Sequence, residues 1–113
     1  MCKEAILKVP ICGRQGDTMN PITIPFFYNN DTPIDITNWE FKISIQNSQC
    51  KEVKLYDMTN GLSIIDNVLV WNFGSVLDIV PGNHKFYLKS YSLEYGEMTM
   101  IIGDFVVKPL KID

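Results

Sequence analysis

A regular alternation of apolar and polar side chains is the feature that most limits what this chain can fold into. It is clearest in the segment Trp39-Glu40-Phe41-Lys42-Ile43-Ser44-Ile45-Gln46, where every second residue is apolar. Successive side chains of a β-strand point to opposite faces, so the pattern predicts a strand with one buried and one solvated face. Shorter alternations of the same kind recur along the chain at spacings of about ten residues.

Clusters of turn-forming residues separate these alternating segments. The main ones are residues 29–33, residues 47–49, Asn60-Gly61, Pro81-Gly82 and Tyr95-Gly96. Asparagine followed by glycine is a pair that tight hairpins prefer, so we expect a hairpin at Asn60-Gly61 with Leu62–Ile65 as its return strand. Proline followed by glycine suits the central positions of a type II turn, which we expect at Pro81-Gly82.

Two prolines mark the second predicted strand. Its apolar face is expected to comprise Ile22, Ile24, Phe26 and Tyr28. Pro21 and Pro25 lie on the other register, and each lacks the N–H group that a sheet ladder needs. We therefore expect this strand to lie at a sheet edge, or to pair on one side only.

Two shorter features complete the local predictions. Residues 75–79 are expected to form a single helical turn between strands. Gly103 interrupts the last strand, where we expect a β-bulge that switches which side chains face inward.

The pattern amounts to about eight short strands with hardly any helix. Evenly spaced strands with frequent turns predict an antiparallel β-sandwich or a small barrel. A sandwich is the simpler solution because it needs only one apolar face per sheet. The length of 113 residues is typical of one domain, so we expect a single β-sandwich domain over residues 1–113.

Composition excludes several classes of protein. Hydrophobic residues make up 46% of the chain, which argues against intrinsic disorder. A membrane-spanning helix needs about 20 consecutive apolar residues, and every apolar run in this chain is far shorter. We therefore expect no membrane association. The 10 basic and 13 acidic side chains give a net charge of −3 without a basic patch, so nucleic acid is not an expected partner.

The three cysteines are Cys2, Cys12 and Cys50. An odd number without a CxxC pair fits neither a disulfide framework nor a zinc knuckle. Glu4 stands where a signal peptide would need its apolar core. We expect a protein made in a reducing cytoplasm with free thiols, although a bridge between two of the three cysteines remains open.

Candidates for catalysis and metal binding are few. His84 is the only histidine, so a cluster of histidine ligands cannot form within one chain, and we expect no metal site, no cofactor and no catalytic residues. A dyad of His84 with one of the cysteines would need an orienting third group, for which no local signature exists. Asp31 and Asp35 lack the spacing of a calcium loop and suit turns. A carboxylate pair for glycoside hydrolysis stays open, but no pair stands out.

The aromatic residues divide into a predicted core and a predicted surface. Those on the apolar register of their strands are Phe26, Trp39, Phe41, Trp71, Phe73 and Phe86. On the opposite register, Lys85, Tyr87, Lys89 and Tyr91 form an outward stripe, and Phe27 opposes Phe26. This stripe and Phe27 are the candidate binding residues, since tyrosine is enriched at interface centres. The alternative is that tyrosine and lysine merely cover a wet sheet face.

Several segments together resemble an Ig-like module of tailed-phage virions. They are Arg14-Gln15-Gly16-Asp17-Thr18, residues 32–42, Gly61-Leu62-Ser63-Ile64, Val80-Pro81-Gly82, Phe86-Tyr87-Leu88 and Gly103-Asp104-Phe105-Val106-Val107. The arrangement is similar to the N-terminal domain of upper baseplate proteins, and to related modules in tail, neck and capsid-decoration proteins. The resemblance covers most of the chain from Arg14 onward.

This resemblance implies an Ig-like β-sandwich of about 7–9 strands and a non-enzymatic structural role in the virion. The expected partners are other capsid or tail proteins, with a homo-oligomer and glycans left open. Upper baseplate proteins carry further domains after this module, whereas the present sequence stops at Asp113. We therefore expect a capsid auxiliary or decoration protein, or a small tail or baseplate component, assembled in the host bacterial cytoplasm. The alternative hypothesis is a carbohydrate-binding or adhesion module that uses Tyr87, Tyr91 and Phe27.

Overall fold

The computed structural model describes residues 5–6, 11–28, 30–74 and 76–109, which form nine β-strands. The strands are β1 (Ala5–Ile6), β2 (Ile11–Arg14), β3 (Ile22–Ile24), β4 (Glu40–Gln46), β5 (Glu52–Asp57), β6 (Leu62–Ile65), β7 (Val68–Trp71), β8 (Gly82–Ser92) and β9 (Gly96–Lys108). Within this described part, no helix is long and apolar enough to cross a membrane.

The strands form two sheets. The six-stranded sheet has the order β1-β9-β8-β4-β5, with β2 also paired to β9, and the three-stranded sheet has the order β3-β7-β6. All pairings are antiparallel except those of β1 and β2, which run parallel to β9. The predicted all-β sandwich is confirmed, with the addition of this parallel pairing at its N-terminal end.

The strand order identifies the sandwich as Ig-like. In Ig folds, strands G, F, C and C′ form one sheet, and strands B, E and D belong to the other. Here β9-β8-β4-β5 and β3-β7-β6 take these two sets of positions in the same order. The connections β3–β4 and β8–β9 therefore occupy the places of the B–C and F–G loops, which share one end of the sandwich.

The core lies between the inner faces of the two sheets. The six aromatic residues predicted to be internal are all buried: Phe26, Trp39, Phe41, Trp71, Phe73 and Phe86. Trp71 is the centre of this packing, with ring centroids 4.8 Å from Phe73, 5.4 Å from Phe86, 5.5 Å from Tyr56 and 5.8 Å from Phe105. Loss of such a ring costs about 3–5 kcal/mol, a large part of a domain's stability.

The alternation in β4 and the edge position of β3 are confirmed. Phe41, Ile43 and Ile45 are fully buried, while the intervening residues of β4 face outward. Among the described residues β3 pairs with β7 alone, as expected from the flanking prolines. The strand ends at Ile24, however, so Tyr28 is not part of its inner face and is 45% exposed.

The hairpin predicted at Asn60-Gly61 is wrong. β5 pairs with β4, whereas β6 pairs with β7, so this connection carries the chain from one sheet to the other. Asp57 and Asn60 exchange two backbone hydrogen bonds of 3.0 Å. Gly61 follows with φ +96°, where a Cβ atom would lie 2.6 Å from Cδ1 of Tyr56. A glycine is therefore needed here because the backbone passes close to the buried Tyr56 ring, and not because the chain forms a hairpin.

The tight hairpin instead lies six residues further on, between β6 and β7. Ile65 pairs with Val68, which leaves Asp66 and Asn67 as a two-residue loop. Their φ angles are +50° and +62°. Positive φ at both positions defines the type I′ turn that matches the twist of antiparallel strands.

The helical turn predicted over residues 75–79 is also wrong for the part that the structure describes, residues 76–79. Leu77 and Ile79 are buried while Val76 and Asp78 are exposed, which is the alternation of an extended chain. Backbone hydrogen bonds of 2.8 Å join Leu77 to Gly16 and Asp17. Ser75 lies outside the described residues.

Two glycine predictions need correction. Gly103 pairs regularly with Phe86, and the irregularity in the β8–β9 ladder lies opposite Leu88 and Lys89, where Met100 is the extra residue. Gly82 is the first residue of β8 and has φ +146°, whereas the glycine of a type II turn has φ of about +80°. The bulge predicted at Gly103 is therefore wrong, because the extra residue is Met100. The type II turn predicted at Pro81-Gly82 is also wrong, because Gly82 begins β8.

Candidate interaction surfaces

The predicted stripe on β8 does face outward. Phe86 and Leu88 are buried, while the alternate positions Lys85, Tyr87, Lys89 and Tyr91 are half-buried or exposed. The ladder fixes this face, because β8 pairs with β4 on one side and with β9 on the other. Directly opposed residues of antiparallel strands share a face, so the stripe is continuous with the outward residues of β4.

Three residues of the stripe line one shallow concavity of about 290 Å³ on this sheet. They are Tyr87, Lys89 and Tyr91, joined by Lys42, Ser44, Gln46, Glu52 and Leu55 from β4 and β5. We call Lys42, Leu55, Tyr87, Lys89 and Tyr91 the tyrosine–lysine face. The Lys42 ammonium lies 5.6 Å from the ring centroid of Tyr91, within cation–π range. Burial, followed by the hydrogen bond to Glu97, raises the pKa of Tyr91.

The other two predicted binding residues lie elsewhere. Lys85 lines a neighbouring concavity near the loop 47–51, which it shares with Tyr87. Phe27 is 54% exposed in the β3–β4 connection, where it forms an isolated bridge with Pro33. The structure therefore separates the predicted set into a sheet-face group and one loop residue.

A second concavity lies where the β3–β4 connection meets the turn between β8 and β9. It has a volume of about 270 Å³, and its lining residues include the aromatic Tyr28, Trp39 and Tyr95 and the acidic Asp35 and Glu94. We call these five residues the loop-end cleft. Tyr28 and Tyr95 are each 45% exposed, whereas Trp39 is 9% exposed. The cleft thus combines two accessible rings, those of Tyr28 and Tyr95, with the largely buried ring of Trp39.

Local hydrogen bonds hold the loop-end cleft. The Tyr28 N–H donates to the Thr32 carbonyl at 2.8 Å, closing the predicted turn. The Tyr95 N–H donates to Oγ of Ser92 at 3.1 Å. Asp35 Oδ1 accepts from the Thr37 hydroxyl at 2.5 Å and from its N–H at 3.1 Å, bonds that hold the Asp35 pKa below its usual value. These bonds agree with the turn interpretation of Asp35.

The ionisation of Tyr95 depends on its neighbours in the same cleft. A hydrogen bond with the Tyr28 hydroxyl is the largest cause that raises the Tyr95 pKa, and the negative charge of Glu94 adds to it. Both effects favour the neutral phenol of Tyr95.

A third concavity, of about 580 Å³, lies beside β5 and includes Lys54, Tyr56 and Asp78. Lys54 Nζ and Asp78 Oδ2 are 3.1 Å apart, an exposed ion pair of the kind that contributes little to stability. The Tyr56 hydroxyl is buried without a hydrogen-bond partner among the described residues. Burial raises the pKa of Tyr56 to about 12, with a smaller contribution from the charge of Asp78.

His84 is buried and has a structural contact. Its Nε2 lies 2.7 Å from the Val80 carbonyl, which can only accept, so Nε2 carries the proton. The Nδ1 atom has no hydrogen-bond partner among the described residues. Cys50 and His84 both line the concavity near the loop 47–51. Cys12 and Cys50 are exposed free thiols. Cys2 lies outside the described residues.

No set of three or more histidine, cysteine, aspartate or glutamate side chains suited to a metal ion occurs in the described part of the chain. Asp31 and Asp35, considered above for calcium, serve the turns that they occupy. Asp31 has φ +65°, and its N–H donates to the Tyr28 carbonyl at 3.0 Å.

The loop-end cleft was missed by sequence reasoning. Tyr28 follows the apolar register of β3, which suggests a buried residue until the strand is seen to end before Pro25. Tyr95 lies in a predicted turn. An aromatic side chain in a turn was the one sequence signal that could have indicated a binding residue there. Their meeting with Trp39 depends on which loops share one end of the sandwich, which no local pattern specifies.

The strand order thus defines an Ig-like β-sandwich whose outward features are the tyrosine–lysine face and the loop-end cleft. No protein-family model and no curated protein matches the chain. Among solved structures, it is similar to the fibronectin(III)-like modules of Clostridium thermocellum CbhA, with a TM-score of 0.42 and 12% identity over 94% of this chain and 98% of that chain. It is also similar to extracellular domains 3-5 of Drosophila OTK, with a TM-score of 0.37 and 10% identity over 87% of this chain and 32% of that chain.

Proposed function

We propose that this protein is a non-enzymatic structural component of a bacteriophage virion, docked on the particle as a capsid auxiliary or small tail or baseplate protein. The observation that supports it most is the position of the residues that carry the phage resemblance. Trp39, Phe86, Gly103 and Phe105 are buried in the sandwich, and Gly82 takes a positive φ at the start of β8. These residues therefore serve the fold, which agrees with a structural role for the protein.

The tyrosine–lysine face is the surface that we assign to docking. Tyr87 and Tyr91 each present a large ring with a polar tip, and Lys42 and Lys89 lie between or beside these rings. Tyrosines are common where binding energy is concentrated in interfaces, and the lysines add complementarity to acidic partners. Leu55, 37% exposed, gives the face an apolar contact.

Binding of the purified protein to particles or capsids that lack it tests this assignment. The double variant Tyr87→Ala/Tyr91→Ala should reduce particle binding by at least about tenfold, because it removes both interface rings. Ile65→Ala, on the other sheet and 56% exposed, is the matched control and should bind like the wild type. Wild-type binding by the double variant, with its fold intact by circular dichroism, would contradict docking through this face.

A carbohydrate-binding or adhesion role is the second candidate, and the same concavity supports it. The rings of Tyr87 and Tyr91 line it together with the polar side chains of Ser44, Gln46 and Glu52. Ring faces can stack on sugars while hydroxyl, amide and carboxylate groups bind sugar hydroxyls. Glycan-array binding that disappears in the double variant supports this role, and absence of glycan binding at millimolar concentration counts against it.

A further inference from the structure

The loop-end cleft combines aromatic rings with negative charge. Tyr28, Trp39 and Tyr95 supply the rings, and Asp35 and Glu94 supply the carboxylates. Among the described residues, no lysine, arginine or histidine lines it. This distinguishes it from the tyrosine–lysine face, where the Lys42 ammonium already lies over the Tyr91 ring.

The rings are arranged as walls that meet at an angle. The ring centroids of Trp39 and Tyr95 are 5.9 Å apart, and their planes are inclined by 68°. Trp39 is fixed from behind by Phe41, whose centroid is 6.1 Å away. Tyr28 lines the same cleft from the β3–β4 connection, where its N–H donates to the Thr32 carbonyl at 2.8 Å. Because the walls are held by contacts within the protein, a ligand would pay little to order them.

The electrostatics of the cleft favour a cation. The face of an aromatic ring is the negative end of its quadrupole and attracts a positive group placed within about 6 Å. Asp35 is ionised at neutral pH, and the hydrogen bonds from Thr37 lower its pKa further. Glu94, the chain neighbour of Tyr95, adds a second negative charge to the residues that line the cleft. A cation gains from both the rings and the carboxylates, whereas a neutral ligand without hydrogen-bond donors gains nothing from the carboxylates.

We propose that the loop-end cleft binds an organic cation of the quaternary-ammonium class. A trimethylammonium group has no N–H donors to satisfy and is a recognised ligand of aromatic cages, whereas a primary ammonium is strongly hydrated and loses more on leaving water. The proposal goes beyond the docking role and is independent of it, because its residues are not those of the tyrosine–lysine face. The same chemistry is available from free choline or from a trimethylated lysine of a protein.

Calorimetric titration with choline and with a trimethyl-lysine peptide tests this assignment, with two-dimensional NMR to locate the bound site. A saturable interaction that shifts the signals of Tyr28, Trp39 and Tyr95 is expected, and the tighter of the two probes identifies the source. The decisive comparison is a neutral analogue of choline with a tert-butyl group in place of trimethylammonium. It has the same shape without the charge and should bind about tenfold more weakly or not at all.

Substitutions separate the rings from the charge. Tyr95→Leu should weaken choline binding by about 3–30-fold, and Glu94→Gln by about 3-fold, because each removes one part of the cation's surroundings. Tyr28→Leu is the second ring variant in case Tyr95→Leu alters the turn. Tyr87→Leu, on the tyrosine–lysine face, is the control and should bind choline like the wild type.

Three results would overturn the proposal. They are equal affinity for choline and its neutral analogue, choline binding that survives both ring variants, and absence of binding by either cationic probe. Binding of a neutral methyl glycoside in the cleft without choline binding would assign the cleft to sugars instead. None of these results bears on particle docking, which depends on Tyr87 and Tyr91.

Discussion

At the scale of single residues, Tyr56 shows how burial raises the pKa of a core side chain. The side chain is 2% exposed and packs edge-on against Trp71 and Phe73, yet its hydroxyl has no hydrogen-bond partner among the described residues. Its pKa is about 12, above the ordinary value of 10.0. The folded protein therefore holds this proton more tightly than the unfolded chain does. The stability associated with it is present below pH 10 and is lost as the pH rises towards 12.

Tyr56→Phe should remove that part of the alkaline loss of stability. At neutral pH it should leave the free energy of unfolding unchanged or raise it by up to about 1 kcal/mol, because it deletes a buried group that lacks a partner. Denaturant unfolding of both proteins at pH 7 and between pH 10 and 12 provides the measurement. Tyr87→Phe, at a half-buried position, is the control and should change stability by less than about 0.5 kcal/mol. Identical alkaline slopes for wild type and Tyr56→Phe would refute this explanation.

At the scale of elements, the β6–β7 hairpin positions the chain that leads into the loop-end cleft. The Asn67 side chain accepts a hydrogen bond from the Ile36 N–H at 2.8 Å and donates one to the Ile34 carbonyl at 2.9 Å. Ile36 is fully buried, so its N–H would lose its partner if the amide were removed. One hairpin residue thus joins the smaller sheet to the β3–β4 connection close to Asp35.

Asn67→Gly should cost about 2 kcal/mol of stability, because glycine accepts the positive φ but cannot make either hydrogen bond. Asp66→Gly is the matched control in the same turn, since Asp66 also has a positive φ. It should change the free energy of unfolding by less than about 0.5 kcal/mol. Equal losses in the two variants would show that the turn conformation, rather than the bridging amide, determines stability here.

The elements also show which predictions a sequence can support. The alternation in β4 depends on period two alone, and its burial is as predicted. Asn60-Gly61 and Asp66-Asn67 both lie between apolar segments, but only Asp66-Asn67 forms a hairpin. The choice depends on which sheet the next strand joins, and that is settled by contacts far apart in the sequence. The same reason explains why the parallel pairing of β2 with β9 was not predicted.

At the scale of the whole molecule, the Ig-like sandwich separates two surfaces that differ in chemistry. The tyrosine–lysine face lies on the outer side of the larger sheet, whereas the loop-end cleft lies between two connections. The face follows from a single strand's alternation and could be predicted, except for Lys42 and Leu55, which strand pairing brings to it. The cleft needs two connections that are far apart in the sequence to meet, so it could only be found in the folded chain.

Quantitative mass spectrometry of purified phage particles tests the proposed virion role most directly. If the protein is a structural component, it should be recovered from mature particles in a fixed ratio to a major capsid or tail protein, and that ratio should survive repeated density-gradient purification. Absence from mature particles, or a ratio that falls towards zero with each purification step, would contradict the role.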